Sequence, residues 1–457
     1  YNCHNLVEAF FATLKIGAVA VPVNFRMHPH EVKWVLDKTR CSTLMYSERF
    51  SATINALNGG LGTARRIVYC GANIPAGAHD LESLCREGNA EPPGVVLNPD
   101  DWASLMFTGG TTGEPKAAIY THRSYLWQCL INMLTTRLQS DEVYLNHPPL
   151  FHLAGMGQTL AVLAAGGSAI IVDTLNPLEI LGLIQSERIT FLYLVPPQLY
   201  RRLTEHPEIR NFDVSTITKV VTSAGGNSPD IVRSLYGTFP NLKLCLYGWG
   251  QTETGSGTVH ELTADMAVKE PEKTQSVGRP IAFTDIRLVD DEGAEVPVGE
   301  MGEAIVRTPS SFIGYLDRPE LTSEILRDGW VHSGDIFEQD SNGFYYLRDR
   351  KKDMVKCGGE NVFAQEVEAV LLTHPCVDNC AIIGVPSVKY GEGILAVVKV
   401  AEGKNLSQDE VIQYCKERLA SYKKPQGVVF MDGLPLNSLG KIQKFKLREM
   451  LKHIQLD

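Results

Sequence analysis

The run from Phe107 to Lys116, Phe-Thr-Gly-Gly-Thr-Thr-Gly-Glu-Pro-Lys, is the stretch of this 457-residue chain best equipped for chemistry. Gly109, Gly110 and Gly113 let the backbone approach a ligand closely and turn its N–H groups inward. Thr108, Thr111 and Thr112 add hydroxyl donors, and Lys116 adds a mobile cation. Together these groups make a cradle for a polyphosphate. A Walker A loop would need Gly-Lys followed by Ser or Thr, so that the hydroxyl meets magnesium. Here Pro115 precedes Lys116 and Ala117 follows, which excludes that reading. A bare glycine-rich stretch is more often a surface turn; three threonines and a Pro-Lys in this order favour the phosphate role.

The same stretch resembles the phosphate loop of the adenylate-forming superfamily, which holds acyl-CoA synthetases, peptide-synthetase adenylation domains and luciferases. The usual form is Thr-Ser-Gly-Thr-Thr-Gly-x-Pro-Lys-Gly; Gly109 stands in place of Ser, and Ala117 in place of the final Gly. Further motifs follow in the family's order. The segment Tyr247, Gly248, Trp249, Gly250, Gln251, Thr252, Glu253 is similar to its Tyr-Gly-x-Thr-Glu motif. The resemblance implies that Trp249 stacks on adenine, Thr252 contacts the α-phosphate, and Glu253 binds magnesium together with Thr108. A flat ring suits a base, a hydroxyl an oxyanion, and a hard carboxylate oxygen Mg²⁺. Gly225 and Gly226, in the small-residue loop 223–228, match the place where nucleotide and acyl group lie side by side; Asn227 stands where Pro is common. Asp335, in Trp-Val-His-Ser-Gly-Asp, resembles the ribose ligand, since one carboxylate can accept from both vicinal hydroxyls. Arg350 matches a second ribose and phosphate contact, and Lys352 the family's hinge.

Lys356, Gly358 and Gly359 resemble the loop that meets the pantetheine arm of coenzyme A, although Ala364 stands where the family commonly has Pro. Lys441 matches the lysine that contacts the acid carboxylate and the α-phosphate. His152 occupies the position near the acyl carboxylate, and Ala154, Gly225 and Gly248 leave room for the acyl group. Amino-acid-activating members carry an Asp around there to pair with the substrate ammonium; its absence favours an uncharged tail, be it fatty, aryl or alicyclic.

The resemblance implies a carboxylic acid:CoA ligase using ATP, Mg²⁺ and coenzyme A. The acid attacks the α-phosphorus to give an acyl-adenylate and pyrophosphate, and the thiol of coenzyme A then displaces AMP. Such chemistry depends on positioning and charge neutralisation more than on acid–base groups. The catalytic set implied is Lys441, Thr252, Glu253, Lys116 and His152. The alternative is an adenylate-forming enzyme that passes its acyl group to a carrier protein or another acceptor; with no carrier domain expected after Asp457, free coenzyme A is favoured. A nucleotide-binding regulator without catalysis is disfavoured by the joint presence of Lys116, Glu253 and Lys441.

These residues need elements to position them. Leu6, Phe10 and Leu14 recur every four residues and predict a helix ending at Gly17, with a buried strand at 18–23. A second helix is expected after Pro29. Strands are expected at 43–46, 66–70, 103–107, 170–172, 191–195 and 219–222, and a helix is expected to open near His122 directly after the phosphate loop. Strand–helix alternation of this kind indicates α/β layering with largely parallel sheets. After about residue 275 the pattern becomes antiparallel, with strands at 286–289, 303–306 and 343–347. The charged run 348–353 marks a boundary. The expectation is a large N-terminal adenylation domain over 1–351, made of layered α/β subdomains plus a β subdomain, and a small mobile α+β C-terminal domain over 352–457.

Bulk properties agree with this. Apolar content of 44% and charged content of 21% describe a soluble globular protein. A formal charge of −10 argues against a nucleic-acid binder. Ten cysteines without paired short spacing point to reduced thiols and a cytoplasmic location; the lone pair Cys376 and Cys380 lacks the further ligands a zinc site needs. No run reaches the length of a transmembrane segment. The chain begins at Tyr1, so the family's opening segment is expected to be missing. The expected partners are a small-molecule carboxylic acid, ATP and coenzyme A, and the sequence is compatible with a homodimer.

Overall fold

The computed structural model describes residues 1–457 apart from 58–59, 109–114, 196–197, 224–227, 358–359 and 437–441. Its centre is a seven-stranded sheet in the order Arg279–Pro280, Gly255–Leu262, Leu244–Gln251, Lys219–Thr222, Phe191–Tyr193, Val143–Asn146, Ser168–Ile171. The five strands from Leu244–Gln251 onward run parallel, and the first two are antiparallel. Short β-branched and aromatic runs suit a sheet covered on both faces. Leu145, Leu192, Val220 and Cys245 are accordingly fully buried in the main core.

Chain order reverses within this sheet. From Val143–Asn146 the chain crosses to Ser168–Ile171 on one side, then returns to Phe191–Tyr193 on the other. Crevices at the carboxyl ends of strands flanking such a reversal are where open α/β sheets bind ligands. Three of the expected site segments leave the sheet at that edge: His147 to His152 after Val143–Asn146, Ser223 after Lys219–Thr222, and Thr252 with Glu253 after Leu244–Gln251.

The phosphate-loop region differs from expectation. Trp102–Thr108 pairs with Lys116–Thr121 as a two-stranded antiparallel unit, with Thr108 opposite Lys116. Residues 109–114 thus lie between two strands, not between a strand and a helix. The second strand escaped notice because Lys-Ala-Ala-Ile-Tyr-Thr opens on residues of poor strand preference. The helix His122–Thr135 starts where expected, its first turn capped by the Thr121 side chain accepting from the Ser124 N–H at 3.1 Å. Residues 18–23 form no strand. Ala20 alone bridges to the sheet, its N–H bonding Ala103 O and its carbonyl accepting from Leu105 N–H, both at 2.9 Å. Pro22 removes the donor that would have extended the ladder.

The antiparallel β region follows the expected pattern, in the order Asp285–Val289, Met301–Arg307, Trp330–Gln339, Leu326–Arg327, with Tyr345–Arg350 paired to Trp330–Gln339. Beyond it, Val377–Ser387 and Gly391–Val400 form a long antiparallel pair, joined by Gly427–Phe430, Val355–Cys357 and Glu360–Val362. Helices Ala364–Leu371 and Gln408–Lys416 pack on this sheet around Val367, Leu371, Ile394 and Val411. A large α/β body followed by a small α+β one is the architecture of this chain.

Candidate active site

Glu253 sits in a turn between Leu244–Gln251 and Gly255–Leu262. Its carboxylate accepts a hydrogen bond from the Tyr315 hydroxyl, and its carbonyl accepts from Phe312 N–H at 3.1 Å. The Tyr120 hydroxyl donates to the carbonyl of neighbouring Thr252. Two buried tyrosines thus hold the turn from behind. Burial, and then the Glu253 charge, push the Tyr315 phenol far above its ordinary range, so it keeps the proton it donates to Glu253. The Lys116 ammonium lies 5.6 Å from the Tyr315 ring centroid, which brings this cation and the Glu253 carboxylate to one aromatic side chain.

Trp249 and Asp335 meet directly. The indole Nε1–H donates to the Asp335 carboxylate at 2.8 Å, and both residues are buried. Phe337 meets the indole edge-on at 5.1 Å. On the other strand of the hairpin, a Cβ at Gly257 would fall 2.6 Å from a ring carbon of Trp249, so only glycine admits the ring there. Gly248 faces the same strand, where a Cβ would stand 2.5 Å from Thr258 O. Tyr247 is buried, and that burial raises its phenol to about 12. Asp335 and Arg350 are paired in register across adjacent strands, with Nε and Oδ1 3.4 Å apart.

Lys352 joins this cluster electrostatically. Loss of hydration lowers its ammonium to about 8, with Arg350 and Lys116 adding like-charge repulsion and Asp353 and Asp335 opposing it. Lys116, Asp335, Arg350 and Lys352, 236 residues apart at the extremes, therefore share one electrostatic environment.

His152 is the N-cap residue of helix Leu153–Ala164 and packs against Phe151 with centroids 4.4 Å apart. Ala154, on the first turn, is exposed. Lys356 lies on Val355–Cys357, its side chain exposed and its N–H donating to Glu392 at 2.7 Å. Gly109, Gly110, Thr111, Thr112, Gly113, Gly225, Gly226, Gly358, Gly359 and Lys441 lie outside the described residues. Tyr315 and Tyr120 were missed by sequence reasoning. Neither sits in a local motif, and each reaches the Thr252–Glu253 turn from a distant strand or bridge.

Magnesium fits the donor set. It favours hard oxygen ligands and keeps several waters, so one protein carboxylate plus phosphate oxygens suffices. Glu253 supplies such a carboxylate, oriented by Tyr315. Among the described residues no group of three or more His, Cys, Asp or Glu side chains converges into a closed metal site. No helix among them is long and apolar enough to cross a membrane.

The family model described as AMP-binding enzyme matches residues 1–316, and that for the AMP-binding enzyme C-terminal domain matches 366–441. A feruloyl-CoA synthase of Amycolatopsis sp is 38% identical over 97% of this chain and 86% of its own. An indoleacetate–CoA ligase of Aromatoleum aromaticum is 30% identical over 99% and 87%. An anthranilate CoA ligase solved with anthranoyl-AMP superposes with a TM-score of 0.85 at 25% identity, covering 99% of this chain and 86% of that one. ATP-bound MatB from Rhodopseudomonas palustris gives 0.84 at 28%, covering 98% and 86%. With both family models in chain order and a fold shared almost end to end, the chain belongs to the AMP-binding enzyme family.

Proposed function

We propose that this acid:CoA ligase acts on an aromatic carboxylic acid, with the residue roles that follow. The chain is an ATP-dependent acyl-CoA synthetase, which couples ATP cleavage to AMP and pyrophosphate with thioester formation on coenzyme A through an acyl-adenylate. Lys116 and Thr108 neutralise and orient the pyrophosphate end of ATP. Bound Mg²⁺ supplies charge neutralisation at the phosphates. Glu253, held by Tyr315, presents the carboxylate for it, and Thr252 faces the α-phosphate. Trp249 and Asp335 form one unit for the nucleoside: the indole borders the base and the carboxylate takes the ribose hydroxyls, with Arg350 beside it. Lys441 carries the charge that gathers on the acid carboxylate and α-phosphate. His152 borders the acyl carboxylate, Lys356 and the glycines after it border the pantetheine arm, and residues 352–457 turn about Lys352 between the two half-reactions.

The observation that carries these roles is the convergence of Lys116, Glu253, Trp249, Asp335, Arg350 and Lys352 from four separate stretches of chain on one edge of the central sheet. The aromatic assignment is supported by the relatives, which include a feruloyl-CoA synthase, an indoleacetate–CoA ligase and an anthranilate CoA ligase. The test is pyrophosphate release against a panel of aromatic, fatty and alicyclic acids, followed by thioester formation with free coenzyme A under nitrogen. Turnover of fatty or alicyclic acids in preference to every aromatic one would refute the substrate assignment.

A further inference from the structure

The turn that leads from Val143–Asn146 to His152 has little backbone pairing of its own. Pro148 and Pro149 have no N–H to donate, and the turn enters a helix without joining another strand. Its carbonyls therefore need donors from elsewhere. One distant side chain supplies them. Asn2 Nδ2 lies 3.2 Å from His147 O, 3.1 Å from Pro148 O and 3.2 Å from Val172 O, and Asn2 Oδ1 accepts from Leu150 N–H at 2.9 Å. These partners fix the orientation of the carboxamide, because the reverse would set its oxygen against three carbonyls. Asn2 thus ties the turn and Val172, 145 to 170 residues away, to the start of helix His4–Lys15. That helix is itself anchored, since its Val7 and Phe10 share one core with Leu150 and Leu153.

The carbonyls of this turn also seat the helix that His152 caps. His152 N–H donates to Pro149 O at 3.0 Å. A Cβ at Gly155 would stand 2.4 Å from Pro149 O and 2.5 Å from Pro148 O, so the first turn of Leu153–Ala164 rests on the two proline carbonyls with no side chain between. Moving the turn therefore moves His152. The nucleotide unit of Trp249 and Asp335 is held by contacts of its own, to each other and to Phe337.

Resting on the role of His152 proposed above, we propose that Asn2 is a positioning residue for the acid substrate. Its carboxamide holds the turn 147–150 so that His152 meets the acyl carboxylate, and it takes no part in binding ATP. Geometry held in this way matters, because a misplacement of about 1 Å remote from the reacting atoms can cost about a hundredfold in rate.

The test compares KM for the acid with KM for ATP, by pyrophosphate release with whichever carboxylic acid is turned over fastest, in the wild type, Asn2→Ala, Asn2→Asp and His152→Ala. Asn2→Asp keeps the shape and the acceptor for Leu150 N–H, but it turns an oxygen toward the three carbonyls. Either Asn2 variant should raise KM for the acid about tenfold or more and leave KM for ATP within about twofold. A general loosening of the fold would move both constants together. KM does not depend on how much of a sample is folded, so a variant that folds incompletely still reports. In either Asn2 variant, a KM for the acid that stays within about twofold of the wild type, or rises no more than that for ATP, would overturn this inference alone, provided that His152→Ala raises it. If His152→Ala leaves KM for the acid unaltered, the role of His152 fails and takes the inference with it.

Discussion

Tyr315 shows how much of the site depends on a residue that need not touch substrate. Its hydroxyl fixes one oxygen of Glu253, while its ring lies near the Lys116 ammonium. Partners that orient a metal ligand typically contribute tenfold or more to metal affinity. Tyr315→Phe should therefore raise the Mg²⁺ concentration for half-maximal pyrophosphate release by about tenfold, with little change in melting temperature. An unchanged Mg²⁺ titration would show that Glu253 needs no such support. His147, at the same edge of the sheet, makes a second prediction. Burial, with a smaller contribution from Arg26, lowers its imidazole to about 4. An unfolded chain would take up that proton near the ordinary value of 6.5, whereas the folded one resists until about 4. Between those values the unfolded state binds more protons, so stability falls as pH drops through the window. The loss amounts to about 2 kcal/mol at pH 5 relative to neutral pH. Urea unfolding of the wild type and His147→Gln at both pH values checks this; the variant should lose less on acidification.

At the scale of elements, the hairpin Leu244–Gln251 and Gly255–Leu262 decides where Trp249 sits. Its register slips between Trp249 and Gly250, and Gly257 lies against the indole face. Gly257→Ala would press a methyl into ring carbons 2.6 and 2.7 Å away, with backbone on the opposite strand unable to yield. The ring must rotate, and its 2.8 Å bond to Asp335 goes with it. The KM for ATP should rise about tenfold or more, equivalent to losing roughly 1.4 kcal/mol of nucleotide binding; an unaltered KM would mean that the indole position is irrelevant to ATP. This hairpin also shows what the sequence could reveal. Trp249, Glu253 and Asp335 were legible because their motifs are short and contiguous, and the parallel strands because β-branched runs such as Lys-Val-Val-Thr mark them. The strand Lys116–Thr121 was hidden by its alanines, and 18–23 was over-read because apolar content alone does not supply a pairing partner. Tyr315 and the Trp249–Asp335 bond were beyond reach, since they depend on contacts across 62 and 86 residues that no local period encodes.

For the whole molecule, the question is how one chain serves two half-reactions that need different neighbours for the same acyl phosphate. The helix Lys444–Met450, which follows Lys441 in the chain, is tied on two sides. Lys444 pairs with Glu368 at 2.8 Å in a mostly buried setting, and Arg448 donates to Asp353 at 2.8 Å and to the Lys352 carbonyl at 3.3 Å. If residues from 352 onward turn as a body, the segment bearing Lys441 is carried with them, and the turn must be absorbed near 352. The neighbouring N–H groups of Lys351, Asp353 and Met354 bond to Gly334 O, Arg350 O and Arg350 O. Proline at 352 would fix φ there and narrow the choices of Lys351. Lys352→Pro should therefore slow thioester formation from supplied acyl-adenylate by at least tenfold more than it slows pyrophosphate release, about 1.4 kcal/mol of differential barrier. Lys441→Ala should show the opposite bias, abolishing adenylate formation and sparing the thioester step. Stopped-flow measurement of each half-reaction in both variants decides the matter. Equal losses in the two steps for both variants would mean that the small domain works from a single position, and that Lys441 and the pantetheine loop act on the substrate together rather than in turn.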